Sequence, residues 1–321
     1  MQHPHKIQIG ISSCLIGREV RFDGSHKRDG WIVQSLGEYF EFLPFCPEVG
    51  IGLGVPRPPI HLIRNGQSLA AVNIKDHSLD HTLSLQQYAQ SVVLPLQNVS
   101  GFILKKNSPS CGMERVKVYN SNKPNLPPER NGIGIFAQQL QQLLPLLPLE
   151  EEGRLCDPIL RENFIGRIYV YHRWQTLNTI QLTPARLVNF HADHKYIFMA
   201  HDQHQAKILG NLVAQAGVSE NLTVLAQDYI RIVMQMLAKP VSRGQHSNVL
   251  YHLLGYLRNH LDAQDRQEMV ELIEQYQTGL VPLIVPITLL KHHFKHHPQP
   301  YIERQHYLNP HPGELMLRNL L

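Results

Sequence analysis

The stretch GFILKKNSPSCG, residues 101–112, sets an unbroken apolar run against two lysines and then a Ser, Pro and Gly set around one cysteine. Phe102, Ile103 and Leu104 read as a short buried strand, and the residues after them read as a tight loop. The same order of strand, turn-rich loop and single cysteine occurs twice earlier. KIQIGIS (6–12) runs into Cys14 within GISSCLIGREVRFDGSHK, and FEFLPF (40–45) runs into Cys46 within FCPEVGIGLGVPRPP. Between these strands LDHTLSLQQYAQSVVLPLQ (79–97) has helical spacing, and NGIGIFAQQLQQLLPLL (131–147) supplies a later helix. Strands separated by helices predict an α/β domain with a mostly parallel sheet.

Composition changes near residue 150. PLLPLEEEGRLCDP (145–158) reads as a linker, and the segments beyond it repeat three-to-four-residue apolar spacing behind caps such as Asp157 before Pro158 and Thr183 before Pro184. The chain therefore divides into an α/β domain at 1–147, a linker at 148–156 and an all-α domain at 157–321. The tail KHHFKHHPQPYIERQHYLNPHPGE, rich in His and Pro, reads as irregular. With 321 residues, 43% hydrophobic content and a formal net charge of +4, this is a globular chain of about two domains. No apolar run reaches the ~20 residues that span a bilayer, and the opening MQHPHKIQIG lacks a signal-peptide core, so a cytoplasmic location is expected. The charge balance does not mark a nucleic-acid binder.

Only four cysteines occur, at 14, 46, 111 and 156, too few for a disulfide-built fold of this size. Loops after parallel strands gather at the carboxyl edge of the sheet, so Cys14, Cys46 and Cys111 are expected to converge there. Three soft thiolates without an obvious fourth partner suit an iron-sulfur cluster with one open iron. Cys156, in the linker, makes a poor fourth ligand. Other readings stay open: a lone cysteine is commonly a small buried hydrophobe. Zinc is the weaker metal because no C-x-x-C pair exists, and cysteine nucleophile chemistry needs a histidine partner such as His26 or His61.

The combination of SSCLIGREVRFDGSHK, FCPEVGIGLGVPRPP and KKNSPSCG closely resembles the 2-thiouracil desulfidase (TudS) family over roughly residues 6–145. That resemblance implies a 4Fe-4S cluster held by three cysteines, at the positions of Cys14, Cys46 and Cys111. It also implies a catalytic carboxylate and serine, at Glu48 and Ser108, with Ser110 the alternative serine. The expected substrate is a thiolated nucleobase or nucleoside whose sulfur binds the open iron and is replaced by water. A nucleic acid is a further partner class that the residues do not select. A non-enzymatic iron-sulfur redox or sulfur sensor, with a helical domain that contacts a partner, is the competing function. Arg57 and Lys105 read either as counter-charges at such a site or as ordinary structural cations.

In the second half HKYIFMAH, HSNVLYHLLGY and PLIVPITLL resemble the YbgA-type domain, which implies architecture and not chemistry. His191, His194 and His201 share one helix side with Leu187, Ile208, Leu209 and Leu212 and are expected to point inward as neutral core residues. The sharper alternative adds His246 or His252 to make a second, metal- or nucleotide-binding site. The doublets His292–His293 and His296–His297 read as surface features. Trp174 and the tyrosines at 169, 171, 196 and 251 read as packing before base stacking.

Overall fold

The computed structural model describes residues 6–66, 68–120, 126–179 and 181–321. The first five residues, part of the opening on which the absence of a leader was read, lie outside them. The chain forms two compact units, the first ending at Cys156 and the second beginning at Asp157.

In the first unit β1 (Ile7–Ser12) is flanked by β2 (Phe40–Phe45) on one side and β5 (Phe102–Leu104) on the other, all parallel, with β8 (Leu149–Glu151) parallel beyond β5. The expected strands all form. Pro44, which lacks a backbone donor, is tolerated because β2 is an edge strand. β1 is nearly all buried, as a doubly covered parallel strand requires. The chain leaves β1 to one side for β2 and returns on the other side for β5. β1 is thus the point where the winding reverses, and the crevice beyond its carboxyl end is the place where such sheets bind ligands.

Two differences from the sequence reading matter for the site. The stretch read as a linker contains β8, whose residues pair Phe102 with Leu149 and Leu104 with Glu151. The three successive glutamates of that stretch are each buried against a partner described below. The second difference is a further four-stranded sheet in the order β4-β3-β6-β7, built from β3 (Ile60–Asn65), β4 (Ser68–Asn73), β6 (Val116–Asn120) and β7 (Glu129–Gly132). Its hairpin turns just beyond Asn65, which pairs with Ser68, and Gly66 there has φ 59°, a left-handed conformation that glycine adopts without strain. Leu62, Ala71, Val116 and Val118 from this sheet pack with Leu85 of α1 (Thr82–Ser91) and Ile135 of α2 (Ile135–Leu143). Pro145 lies just beyond the end of α2, where a helix cannot easily continue.

The second unit is all helical. Its main helices are α3 (Pro158–Thr179), α4 (Pro184–His201), α5 (Gln203–Ala214), α6 (Leu222–Leu237), α7 (Arg243–Tyr256), α8 (Ala263–Thr278) and α9 (Ile284–His296). Both expected caps form: Asp157 Oδ1 accepts the N–H of Ile159 at 2.8 Å, and the Thr183 hydroxyl accepts that of Arg186 at 3.3 Å. The long apolar-spaced run from 183 onward is split at Asp202, which adopts an extended backbone and caps α5 through Gln205 N–H at 2.9 Å. Residues 291–296, expected to be irregular, complete α9, and His293 is buried there while His292 and His296 are exposed. Among the described residues no helix is long and apolar enough to cross a membrane.

The inward histidines are held as neutral rings. His194 is fully buried, with Nδ1 2.7 Å from the Phe190 carbonyl, while His201 Nδ1 lies 2.8 Å from the Lys239 carbonyl and His246 Nδ1 lies 2.9 Å from the Tyr307 hydroxyl. Burial depresses all three, His201 to about 4 and His246 to about 3. Among the described residues no three His, Cys, Asp or Glu side chains are placed to hold a single metal ion, and His252 is exposed. Trp174 packs edge-on against Phe190 at 5.4 Å, whereas Tyr251 is exposed. A ring that stays neutral when folded but protonates at its ordinary 6.5 when unfolded makes the unfolded state bind more protons in that window, so stability falls as pH falls. At pH 5 this amounts to roughly 2 kcal/mol for a ring buried like His246. Thermal melts by far-UV circular dichroism at pH 7 and pH 5 should show the helical signal lost at lower temperature in acid.

A candidate iron-sulfur site at the carboxyl edge of the parallel sheet

Each cysteine loop leaves its strand at the same edge. Cys14 lies in a 3-10 turn, Ser13–Ile16, directly after β1, and its carbonyl accepts the Lys27 N–H at 2.9 Å. Cys46 follows β2 and its carbonyl starts a one-turn helix, Pro47–Gly50. Cys111 sits in the loop after β5. All three border one cavity of about 490 Å³, together with Glu48, Arg57, Lys105 and Ser108. The expected convergence of the three loops on one cavity is what the structure shows; Cys156 is exposed and outside that cavity.

The Cys111 loop is fixed from two directions. The amino end of α2 donates to it: Ile135 N–H to the Pro109 carbonyl at 3.0 Å, Ala137 N–H to Ser110 at 3.0 Å, and Gly134 N–H to Gly112 at 2.7 Å. This close approach demands glycine at 134, since a Cβ there would lie 2.5 Å from the Ser110 carbonyl group. From the other direction come the glutamates of β8 and Glu152 just beyond it. Glu152 accepts the Lys106 N–H at 2.7 Å and pairs with the Lys105 ammonium. Glu151 accepts the Met113 N–H at 2.7 Å, and Glu150 takes the Arg154 guanidinium at 2.7 Å. Burial pushes the Glu151 carboxyl up, against the pull of its backbone donors. Sequence reading missed these carboxylates because it assigned them to a linker.

Around the thiols the polar contacts are few. The Ser12 hydroxyl accepts the Lys105 N–H at 3.0 Å and hydrogen-bonds Cys111. The Cys46 thiol lies 3.6 Å from Glu48 Oε2. The other carboxylate oxygen, Oε1, accepts the Ser110 hydroxyl at 2.9 Å, and Arg57 Nη2 stands 4.0 Å from Oε2. Ser108 borders the cavity, and its oxygen accepts the backbone N–H groups of Ser110 at 3.2 Å and Cys111 at 3.1 Å. The two serines thus differ in role: Ser110 is buried against Glu48, and Ser108 shapes the loop while facing the cavity. Arg57 also donates to the Val20 and Gly54 carbonyls, so neither it nor Lys105 is a lone cation. His26 lies outside the cavity wall; His61 is part of it.

Burial pushes Cys14 up to about 11, Cys46 up to about 12, and Cys111 well above its usual range. Lys105 draws Cys14 down, but Glu48 pushes all three up. This donor set fits an iron-sulfur cluster. Three free cysteines border one cavity, Cys14 and Cys111 buried and Cys46 partly so, and their raised thiols call for a positive charge to ionise against, which iron supplies.

The family model described as 2-thiouracil desulfurase matches residues 9–152, and that of a protein of unknown function, DUF1722, matches residues 195–312. The uncharacterized protein YbgA of Escherichia coli strain K12 is 33% identical over 153 residues, 48% of this chain and 90% of the relative. The uncharacterized protein YbbK of Bacillus subtilis strain 168 is 31% identical over 115 residues, 32% of this chain and 72% of the relative. The chain belongs to the YbgA family through its second half, and its first half carries the match to the 2-thiouracil desulfurase model. Among solved structures, the 4Fe-4S-dependent thiouracil desulfidase TudS is 30% identical, covering 47% of this chain and 94% of that one with a TM-score of 0.35.

Three outcomes are expected. In the metal-free chain at neutral pH the three cavity thiols stay protonated, so iodoacetamide labelling followed by mass spectrometry should find Cys156 modified well before Cys14, Cys46 and Cys111. Above pH 9, the ordinary thiol value, unfolded thiols ionise while the folded ones retain their protons, so the metal-free fold should weaken as pH rises. Separately, Gly134→Ala forces the new methyl group onto backbone that cannot yield. It should cost about 1–3 kcal/mol in denaturant unfolding, as overpacking does.

Proposed function

We propose that the first unit is an iron-sulfur-dependent desulfidase that replaces the sulfur of a thiolated pyrimidine by oxygen from water. The observation that carries this is that Cys14, Cys46, Cys111 and Glu48 border one cavity, with Ser110 bonded to Glu48 behind it. The three cysteines would hold a 4Fe-4S cluster with one iron lacking a protein ligand. When bound, such a cluster supplies a soft Lewis acid for the thiocarbonyl sulfur and polarises the carbon–sulfur bond.

The remaining work falls to this chain's own groups. Glu48 is the carboxylate beside the sulfurs and accepts a proton from the attacking water. The Ser110 hydroxyl, donating to Oε1 at 2.9 Å, fixes the carboxylate's rotation and leaves Oε2 toward Cys46 and the cavity. Arg57 holds the same carboxylate from the other side at 4.0 Å. Ser108 spends its lone pairs on two backbone N–H groups, so its own proton is available to a ring carbonyl or nitrogen of the substrate. The carbon–sulfur bond breaks, a carbon–oxygen bond forms and sulfur leaves as hydrosulfide. No electron is gained or lost, so no external reductant takes part.

The test is anaerobic isolation with iron and sulfide quantification, followed by hydrosulfide release from 2-thiouracil. Cys14→Ser, Cys46→Ser and Cys111→Ser should each lower cluster content, and Cys156→Ser should not. Glu48→Gln should retain the cluster spectrum and slow release by roughly 10²- to 10⁴-fold, the usual loss for a general base. Ser110→Ala should follow it in direction, whereas Ser108→Ala should chiefly raise KM. A wild-type rate in Glu48→Gln would remove the carboxylate from the mechanism.

A further inference from the structure

The cavity has a second wall that none of the sulfur chemistry uses. It comes from the four-stranded sheet of β3, β4, β6 and β7 and contains His61 of β3 and Tyr119 of β6, both bordering the cavity. β3 and β6 run parallel, with Ile63 opposite Tyr119. Side-chain alternation sends Leu62 and Val118 into the apolar core beside Leu85 and Ile135, so His61 and Tyr119 take the other face. There the two rings lie against each other, centroids 4.7 Å apart and planes tilted by 35°. The pair is not sealed as core rings are, since both residues are only half-buried. His61 is in turn held by His77, Nε2 to Nε2 at 3.2 Å, which fixes the imidazole against rotation.

Two aromatic rings locked in mutual contact at the wall of a cavity offer a flat, polarisable surface at little cost in side-chain entropy. The ligand that gains from such a surface is itself a flat ring. We infer that His61 and Tyr119 form a stacking wall that selects heteroaromatic thiones over open-chain thioamides and orients their ring. This rests on the desulfidase reading of the same cavity and adds the element that recognises the substrate. The wall acts on the ring and not on the sulfur, so it should bind the oxygen-containing product as well.

The experiment uses the full chain, isolated anaerobically with its cluster, and three ligands: 2-thiouracil, uracil and thioacetamide. Uracil has no sulfur to bind iron, so its equilibrium binding by calorimetry reads the wall independently of turnover. Tyr119→Leu keeps bulk but removes the ring, and Tyr119→Phe keeps the ring. Tyr119→Leu is expected to weaken uracil and raise KM for 2-thiouracil by about ten-fold, the scale of one stacking contact, with kcat and iron content unchanged and thioacetamide unaffected. Tyr119→Phe should stay close to wild type, and His61→Ala should repeat the Leu pattern. Wild-type turnover of 2-thiouracil with uracil binding unmoved in Tyr119→Leu would overturn the stacking wall alone. An equal loss for all three ligands would do the same, since it marks general collapse of the cavity. A cluster-loaded wild type that neither binds nor desulfurises 2-thiouracil would instead overturn the desulfidase reading, and the stacking wall with it.

Discussion

Parallel pairing along both edges of β1 is the constraint from which the site follows. Antiparallel neighbours would send alternate loops to opposite ends of the sheet. With β2 and β5 both parallel to β1, three loops far apart in sequence leave at one edge. The short reach from strand to cysteine does the rest. Cys46 directly follows β2 and Cys14 is two residues beyond β1, so the strand register itself sets where their sulfurs stand. Cys111 is farther from its strand and relies on other supports.

Those supports are polar and buried, which makes them demanding. Each of Glu150, Glu151 and Glu152 has a named partner, and removing one partner leaves a charge without compensation in a shielded place. The loop carbonyls of Pro109, Ser110 and Gly112 are likewise matched to donors at the start of α2. The arrangement exchanges tolerance for definition: the loop has one conformation that satisfies its partners at both ends.

Much of this was legible in the residues because it obeys local rules. Three of the four strands of the parallel sheet, the gathering of their cysteines and the helical second half follow from apolar period, turn chemistry and caps. The Asn65-Gly66 dipeptide is a local turn signal that marks the β3–β4 hairpin. β8 was not legible. Leu149–Glu151 is too short for a periodic pattern, and EEE has the composition of a solvated linker; its burial comes from cations and backbone donors elsewhere in the chain, which no local window contains. The pairing of Glu48 with Ser110 rather than Ser108 was hidden for a similar reason. Two serines flank one proline, and only the path of the loop decides which hydroxyl meets the carboxylate.

The position of β8 also bears on the order in which the molecule is made. A chain emerging from the ribosome as far as Gln142 already holds Cys14, Cys46 and Cys111, but neither the strand nor the carboxylates that clamp the third loop have been synthesised. Domains fold as units during synthesis, and this one becomes a unit only when its last few residues arrive. The segment that resembles a spacer therefore acts as a latch: the contacts of Glu151 with Met113 and of Glu152 with Lys106 can form only after it has left the ribosome.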